Sequence, residues 1–212
     1  MRIALINENS QADKNSLIYE KLCKSAEKNG HEVLNFGKYS KQEERDVPYT
    51  ELGLFASVLI STGIADIVVT GCGTGQGAAI SCNSMSNLVC GIIHSPLDMY
   101  LFSQINAGNV ISIPYSQKFG WGSDVELEQI FDILCSIDFG KGYPEEYAEA
   151  QRKSTLYMEE IKSRVGRNLL NVYKEFEDTL KRILNTEQFK IALSKFGNSS
   201  AESEYISSIM IK

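Results

Sequence analysis

No apolar run in this 212-residue chain approaches the length that a membrane-spanning helix needs. The apolar start Met1-Arg2-Ile3-Ala4-Leu5-Ile6-Asn7 gives way at once to polar residues. The chain therefore reads as a soluble cytoplasmic protein without a membrane partner. Paired cysteine spacing is missing too. The five cysteines, Cys23, Cys72, Cys82, Cys90 and Cys135, are odd in number and scattered, with no CxxC among them. That argues against a disulfide framework or a zinc site and for mostly reduced core residues. Positive charge is scarce: the net charge is −6, and residues 1–150 hold 10 basic against 19 acidic side chains. Residues 151–212 hold 11 and 8, so neither part offers a nucleic-acid surface. Internal repeats and low-complexity segments are also missing.

What is present suits one good core with an extension, at 43% hydrophobic and 23% charged residues. Apolar runs of strand length recur at 2–7, 31–36, 65–70, 88–94 and 109–113. Helical spacing fills the gaps. Asp13 to Asn29 places Leu17, Ile18, Leu22 and Ala26 on one face and ends at Gly30. Pro48 to Thr62 opens on a proline suited to a first helical turn. Ala78 to Met85 and Pro96 to Asn106 are shorter, and Ser123 to Ser136 begins with the cap-like pair Ser123 and Glu126. This alternation predicts a doubly wound five-stranded parallel sheet, a Rossmann-like three-layer α/β sandwich binding ligands beyond the carboxyl ends of its strands.

The pattern changes after Asp138. Phe139-Gly140-Lys141-Gly142-Tyr143-Pro144 is a turn-rich break, and apolar stripes from Leu156 to Leu184 predict helix without strand. Residues 1–142 are expected to form the main domain, and 143–212 an all-helical C-terminal extension that packs on the core or on a partner subunit.

The chemistry concentrates in Val68-Val69-Thr70-Gly71-Cys72-Gly73-Thr74-Gly75-Gln76-Gly77. A buried strand runs into a loop with glycine at every second position, a thiol at its tip and a helix behind. Such glycines let backbone N–H groups approach an anion, and the helix start favours a thiolate. The loop thus offers an oxyanion site beside a base or nucleophile, although a free cysteine is also commonly a small buried core residue. Because no Lys or Arg occurs between Arg45 and Lys118, a phosphate here needs backbone N–H groups, a cation from elsewhere in the chain, or a second subunit. Gly73-x-Gly75-x-x-Ala78 formally fits a permissive dinucleotide fingerprint. Here, however, it follows the third strand, and the next strand ends at His94 instead of an acidic residue, so nucleotide binding is not expected.

Several short pieces lie in a telling order. They are Ile3-Ala4-Leu5-Ile6-Asn7-Glu8-Asn9, Gly30-His31-Glu32-Val33, Asp46-Val47-Pro48, Gly71-Cys72-Gly73-Thr74-Gly75, Asn83, and Asn106-Ala107-Gly108-Asn109-Val110. In this colinear order, residues 1–142 resemble the sugar-phosphate isomerase family that includes ribose-5-phosphate isomerase B and galactose-6-phosphate isomerase. The resemblance implies aldose–ketose isomerisation of a sugar phosphate without metal or organic cofactor, in a homodimer or homotetramer with sites near subunit boundaries. Cys72 matches the family's general base, which moves a proton between C1 and C2 through an enediolate. Thr74 would orient the substrate, and the N–H groups of Gly73, Thr74 and Gly75 would hold the oxyanion. Glu8, Asn9, Gly71, Gly77 and Asn106 fall at further substrate-binding positions.

The chain also departs from the family pattern. The ring-opening histidine is Ile105, which cannot transfer a proton, a first-strand histidine is Asn9, and the phosphate-clamping arginines align near Tyr143 and Pro144. His94 is one candidate acid, or else a hydrogen-bonded strand-end residue. Lys118, Lys141 and Arg152 are candidate phosphate ligands, or else solvated charges. A third resolution is an open-chain substrate such as a tetrose 4-phosphate, which needs no ring opening. Two other readings stay open: a non-catalytic sugar-phosphate binding or sensing protein, and a subunit of a hetero-oligomer.

Overall fold

The structure is a computed structural model describing residues 1–117 and 119–210. Strands β1 (Arg2–Leu5), β2 (Glu32–Asn35), β3 (Ile67–Cys72), β4 (Cys90–Ile92) and β5 (Val110–Pro114) form one parallel sheet in the order β2-β1-β3-β5-β4. Every residue of β3 and β5 is buried, because helices cover both faces of the sheet; hence their near-continuous apolar sequence. In β3, Val68 and Cys72 join one core and Ile67 and Val69 the other, as the two-residue period of a strand requires.

Helices α1 (Asn15–Glu27), α4 (Pro96–Leu101) and α5 (Ser123–Ser136) pack on one face, and α2 (Leu52–Ser61) and α3 (Gln76–Asn83) on the other. The doubly wound architecture is therefore as the alternating pattern predicts. Helix α4 widens into a π-helical turn, Phe102–Asn106, that ends at Ala107 with φ 49°. One local expectation fails. Ser123 is not the cap of α5 but its first residue, buried, and the cap is Gly122 in the left-handed region at φ 80°. The glycine turns the chain into the helix, so no side-chain cap is made.

Beyond these, α6 (Ala148–Val165), α7 (Leu169–Glu175), α8 (Glu177–Leu184), α9 (Glu187–Phe196) and α10 (Ala201–Met210) follow without a strand among the described residues. Helices α7, α8 and α10 pack on one another, and α8 and α10 also pack against α2. Phe189 forms a three-ring cluster with Phe36 and Phe55, centroids 6.1 to 6.3 Å apart. The Tyr173 hydroxyl is shared with Ser57 Oγ at 2.7 Å and Ser61 Oγ at 3.0 Å on α2. Helix α6 differs: Ala148 is its only fully buried residue, while Leu156, Tyr157, Met158 and Val165 are exposed. No helix of the described residues is long and apolar enough to cross a membrane.

Candidate active site

Strand β1 continues to β2 on one side of the sheet while β3 lies on its other side, so the chain reverses direction between β1 and β3. In parallel sheets of this kind a crevice forms at such a point, beyond the carboxyl ends of the strands. Two turns line it: residues 6–14 after β1, and the glycine loop after β3.

Cys72 is the last residue of β3 and is 6% exposed, with Ala78 and Cys82 in the same cluster. Its carbonyl accepts the Tyr115 N–H at 3.0 Å, and the Gly73 carbonyl accepts that of Ser116 at 2.9 Å, so β5 fixes the loop. The N–H groups of Gly73, Thr74 and Gly75 donate to no described residue. Gly75 has φ 73°, turns the chain into α3, and is held through its carbonyl by Ser112 Oγ at 2.7 Å. Thr74 is exposed at the loop tip, its Oγ1 accepting the Gln76 N–H at 3.3 Å. A buried thiol, three unpartnered amides and an exposed hydroxyl thus lie on consecutive residues. That arrangement can remove a carbon-bound proton and hold the oxyanion it creates.

The other glycines of the loop differ in what they do. A Cβ on Gly71 would lie 2.3 Å from the Ile113 carbonyl oxygen and 2.5 Å from the Tyr115 ring. One on Gly77 would lie 2.5 Å from the Tyr49 ring. These two glycines make room for neighbouring protein atoms. At Gly73 a Cβ would meet only ordinary contacts, the nearest being Ser116 Oγ at 3.4 Å. The fold does not need a glycine there.

Glu8 and Asn9 reach the crevice but are engaged within the chain. Glu8 caps the short 3-10 turn Asn9–Lys14, accepting the Ser10 N–H at 2.8 Å as well as the Ser10 hydroxyl. Asn9 donates to Asp46 and accepts the Val47 N–H at 2.8 Å, pinning that loop to the end of β1. His94 follows edge strand β4, with β5 between it and β3, a separation of roughly 10 Å across the sheet. It lines a cavity with Tyr115, Phe119 and Glu126.

Asn106, Lys141 and Arg152 are not brought to Cys72 within one chain. Cys72 is in register with Pro114 at the end of β5, whereas Asn106 precedes the start of β5, roughly 13 Å away along the strand. Lys141 and Arg152 belong to that far edge, where Gly140 and Gly142 donate to the Ser103 and Gln104 carbonyls and Arg152 Nη1 donates to the Lys141 carbonyl at 3.4 Å. Lys141 is also paired with Asp138 at 3.4 Å. Ile105 lies beside Asn106 against α6, its carbonyl accepting from Thr155 at 3.2 Å. Lys118 lies outside the described residues.

Sequence reasoning missed the polar cluster that the turn after β1 delivers. Gln11 is buried, its Nε2 3.2 Å from Ser116 Oγ and its Oε1 accepting Lys14 Nζ at 2.6 Å. Its position is set from behind, since Asn7 Nδ2 donates to the Gln11 carbonyl at 2.9 Å and Asn15 Nδ2 to Asn7 Oδ1 at 2.6 Å. The available signal was positional: residues following a first parallel strand face the crevice. No group of three or more His, Cys, Asp or Glu that could hold a metal ion occurs among the described residues.

Comparison with known proteins bears on the family of this chain. A family model described as Ribose/Galactose Isomerase matches residues 3–135. Among solved structures, a 4-deoxy-L-threo-5-hexosulose-uronate ketol-isomerase complexed with a tartrate is 41% identical, with 100% of both chains covered and a TM-score of 0.96. A ribose-5-phosphate isomerase from Vibrio parahaemolyticus is 35% identical over 99% of each chain, with a TM-score of 0.94. Ribose-5-phosphate isomerase B from Clostridium thermocellum shares the fold at 18% identity and a TM-score of 0.61, covering 77% of this chain and 99% of its own. A comparison with curated proteins finds no match. With a family model spanning most of the sheet and its helices, and two solved isomerases alike from end to end, this chain belongs to the ribose/galactose isomerase family of sugar isomerases.

Proposed function

We propose that the protein is a ketol-isomerase of an open-chain sugar acid of the hexosulose-uronate class, with Cys72 as the proton-transferring base. The observation that carries the chemistry is the loop itself: a buried thiol followed by three amides that donate to no described residue. In the forward step the Cys72 thiolate removes the proton from C2. The electron pair moves toward the C1 aldehyde oxygen, whose charge the Gly73, Thr74 and Gly75 amides receive. The thiol then returns the proton to C1 while the O2 proton passes to O1 by way of Thr74. An aldehyde with an adjacent hydroxyl becomes a ketone with an adjacent hydroxyl, without net redox change.

The substrate class follows from what the family pattern lacks here. A 4-deoxy-5-keto hexuronate has no hydroxyl at C4 or C5, so neither a furanose nor a pyranose can close on C1. Such a substrate needs no ring-opening acid, and Ile105 stands where the family has its histidine. Its charged end is a carboxylate and makes no demand for the family's phosphate arginines. The 41% identical ketol-isomerase supports the same class. The 35% identical ribose-5-phosphate isomerase supports a pentose phosphate instead, so both substrates enter the test.

The proposed site is completed by a second copy of the chain. Asn106 and Cys72 lie at opposite ends of the strands, and a two-fold dimer brings one edge against the other twice. The exposed apolar residues of α6, with Ile80 on α3, supply surface for that contact.

The test is incubation of the pure protein with 4-deoxy-L-threo-5-hexosulose-uronate or D-ribose 5-phosphate in deuterium oxide. Turnover of the sugar acid with deuterium incorporation is expected. Cys72→Ala should lower the rate by about 10²- to 10⁴-fold, the usual cost of losing a general base. Preference for the pentose phosphate would overturn the substrate class, and an active Cys72→Ala would overturn the mechanism.

A further inference from the structure

Most of the lysines on α1, α6 and α8 are neutralised by carboxylates, whereas Lys14 belongs to a smaller set of described cations, with Lys38, Arg152, Lys162 and Lys174, that make no ion pair with a described residue. Lys21, Lys24 and Lys28 on α1 reach Glu128 or Asp132 on α5 at 2.5 to 3.3 Å. Lys153 and Lys181 pair with Glu149 and Glu177 within their own helices. Lys14 makes no ion pair with a described residue. Its ammonium donates to three neutral oxygens: Gln11 Oε1 at 2.6 Å, the Tyr115 carbonyl at 3.1 Å and Ser116 Oγ at 3.4 Å. The Phe119 ring centroid lies 4.9 Å from it.

We propose that Lys14 is the specificity residue that receives the carboxylate of the sugar acid, an assignment resting on the isomerase reading of Cys72. Geometry supports it first. Two of the oxygens that hold Lys14 belong to Tyr115 and Ser116, and the amides of these same residues hold the carbonyls of Cys72 and Gly73. The cation and the backbone of Cys72 and Gly73 are thus anchored to the same two residues of one loop. A short chain with its reacting carbons at Cys72 extends along Gly73 and Ser116 toward the ammonium. Gln11 fixes the direction of approach, since its side chain bridges Ser116 and Lys14 and its backbone is held by Asn7.

Electrostatics supports it next. Lys14 is half-buried, and its pKa is lowered, chiefly by burial. Asp13 and Glu8 act on it only from beyond ion-pair distance, and Lys41 opposes them. A partly desolvated ammonium with no carboxylate in ion-pair contact can receive an anion, because the anion restores what burial removed. The long, weak bond to Ser116 Oγ is the one a carboxylate oxygen replaces at least cost. A carboxylate needs one such cation. The tetrahedral dianion of a sugar phosphate is better met by several, so a single lysine selects the sugar acid.

Lys14→Met, Lys14→Arg and the wild-type chain distinguish the possibilities. Tartrate serves as the carboxylate probe in calorimetric titration, and its binding does not depend on turnover. Lys14→Met should weaken tartrate binding by about 10- to 100-fold, the range of a charge-assisted hydrogen bond, and Lys14→Arg should recover most of it. In kinetics with the hexosulose-uronate, Lys14→Met should raise KM by a similar factor and change kcat by less than about threefold. The uncharged C6 alcohol of the same sugar should be turned over equally by both proteins. Tartrate binding that is absent or indifferent to Lys14→Met overturns the proposal, as does an equal loss on the charged and uncharged sugars. A wild-type chain that binds tartrate through Lys14 yet isomerises no sugar would keep the anion site and overturn the isomerase reading alone.

Discussion

Gly73 and Ser116 are tied by one backbone hydrogen bond, Ser116 N–H to Gly73 carbonyl at 2.9 Å, and a Cβ on Gly73 would stop 3.4 Å from Ser116 Oγ. The glycine at this position is therefore tolerated by the fold without being required by it. Without a side chain there, the amide face of the loop stays open.

A matched pair of variants separates fold from function along this loop. Gly73→Ala should change stability by less than about 0.5 kcal/mol, yet lower kcat/KM by about tenfold or more through obstruction of the oxyanion amides. Gly71→Ala places a methyl 2.3 Å from the Ile113 carbonyl oxygen and should destabilise by about 1–3 kcal/mol, as overpacking does. Urea unfolding beside initial rates reads both effects.

Mixing two inactive variants tests whether the site is shared between copies. Cys72→Ala and Asn106→Ala alter opposite ends of the strands. After unfolding and refolding together, a dimer with shared sites should regain about a quarter of wild-type activity from mixed pairs. No recovery, with mixed dimers shown by mass measurement, would place the whole site in one chain.

Tyr173→Phe removes the hydroxyl that joins α7 to Ser57 and Ser61 on α2. Ser57 keeps its bond to Asn87 at 2.7 Å, so the cost should be about 1 kcal/mol, or about 2–4 °C in Tm for a chain of this size. Activity at 25 °C should be unchanged, because the substitution lies on the far side of α2 from the crevice. Thermal unfolding and an activity assay on one sample check this.

The α1–α5 contact should show itself in the acid limb of stability. Asp132 accepts from Ser25 Oγ at 2.6 Å and from Lys28 Nζ at 3.0 Å, and these bonds hold its pKa below the ordinary carboxylate value, the Ser25 bond contributing most. A depressed carboxylate stabilises the fold above its unfolded pKa and loses that contribution as pH falls through its folded pKa. Asp132→Asn should therefore be less stable than wild type at pH 7, by roughly 0.2–1 kcal/mol for so exposed a group. The difference should close once the solution is more acid than the folded pKa. Denaturant midpoints across that range give the answer.

Much of the architecture was legible in the chain because local physics dictates it. The five apolar runs and the helical spacing between them correspond to β1–β5 and α1–α5 within a few residues. The exception at Ser123 arose where a left-handed glycine could do the work of a side-chain cap. The reaction class was legible through the resemblance that the colinear pieces of residues 1–142 bear to the isomerase family, and the family model over residues 3–135 agrees with it.

What the sequence by itself determined was thus whatever depends on neighbours along the chain: strand and helix periods, the glycine loop, and the loss of the histidine at Ile105. Tertiary structure decided the rest. It placed Asn106, Lys141 and Arg152 at the opposite sheet edge from Cys72, because a parallel strand separates the loop at its start from the loop at its end. It also brought Lys14 to Ser116, 102 residues away in sequence. A stretch without Lys or Arg from 46 to 117 therefore said nothing about the charge near the loop. The reason is physical: electrostatics acts through space across adjacent strand ends, and only the strand order reveals which ends are adjacent.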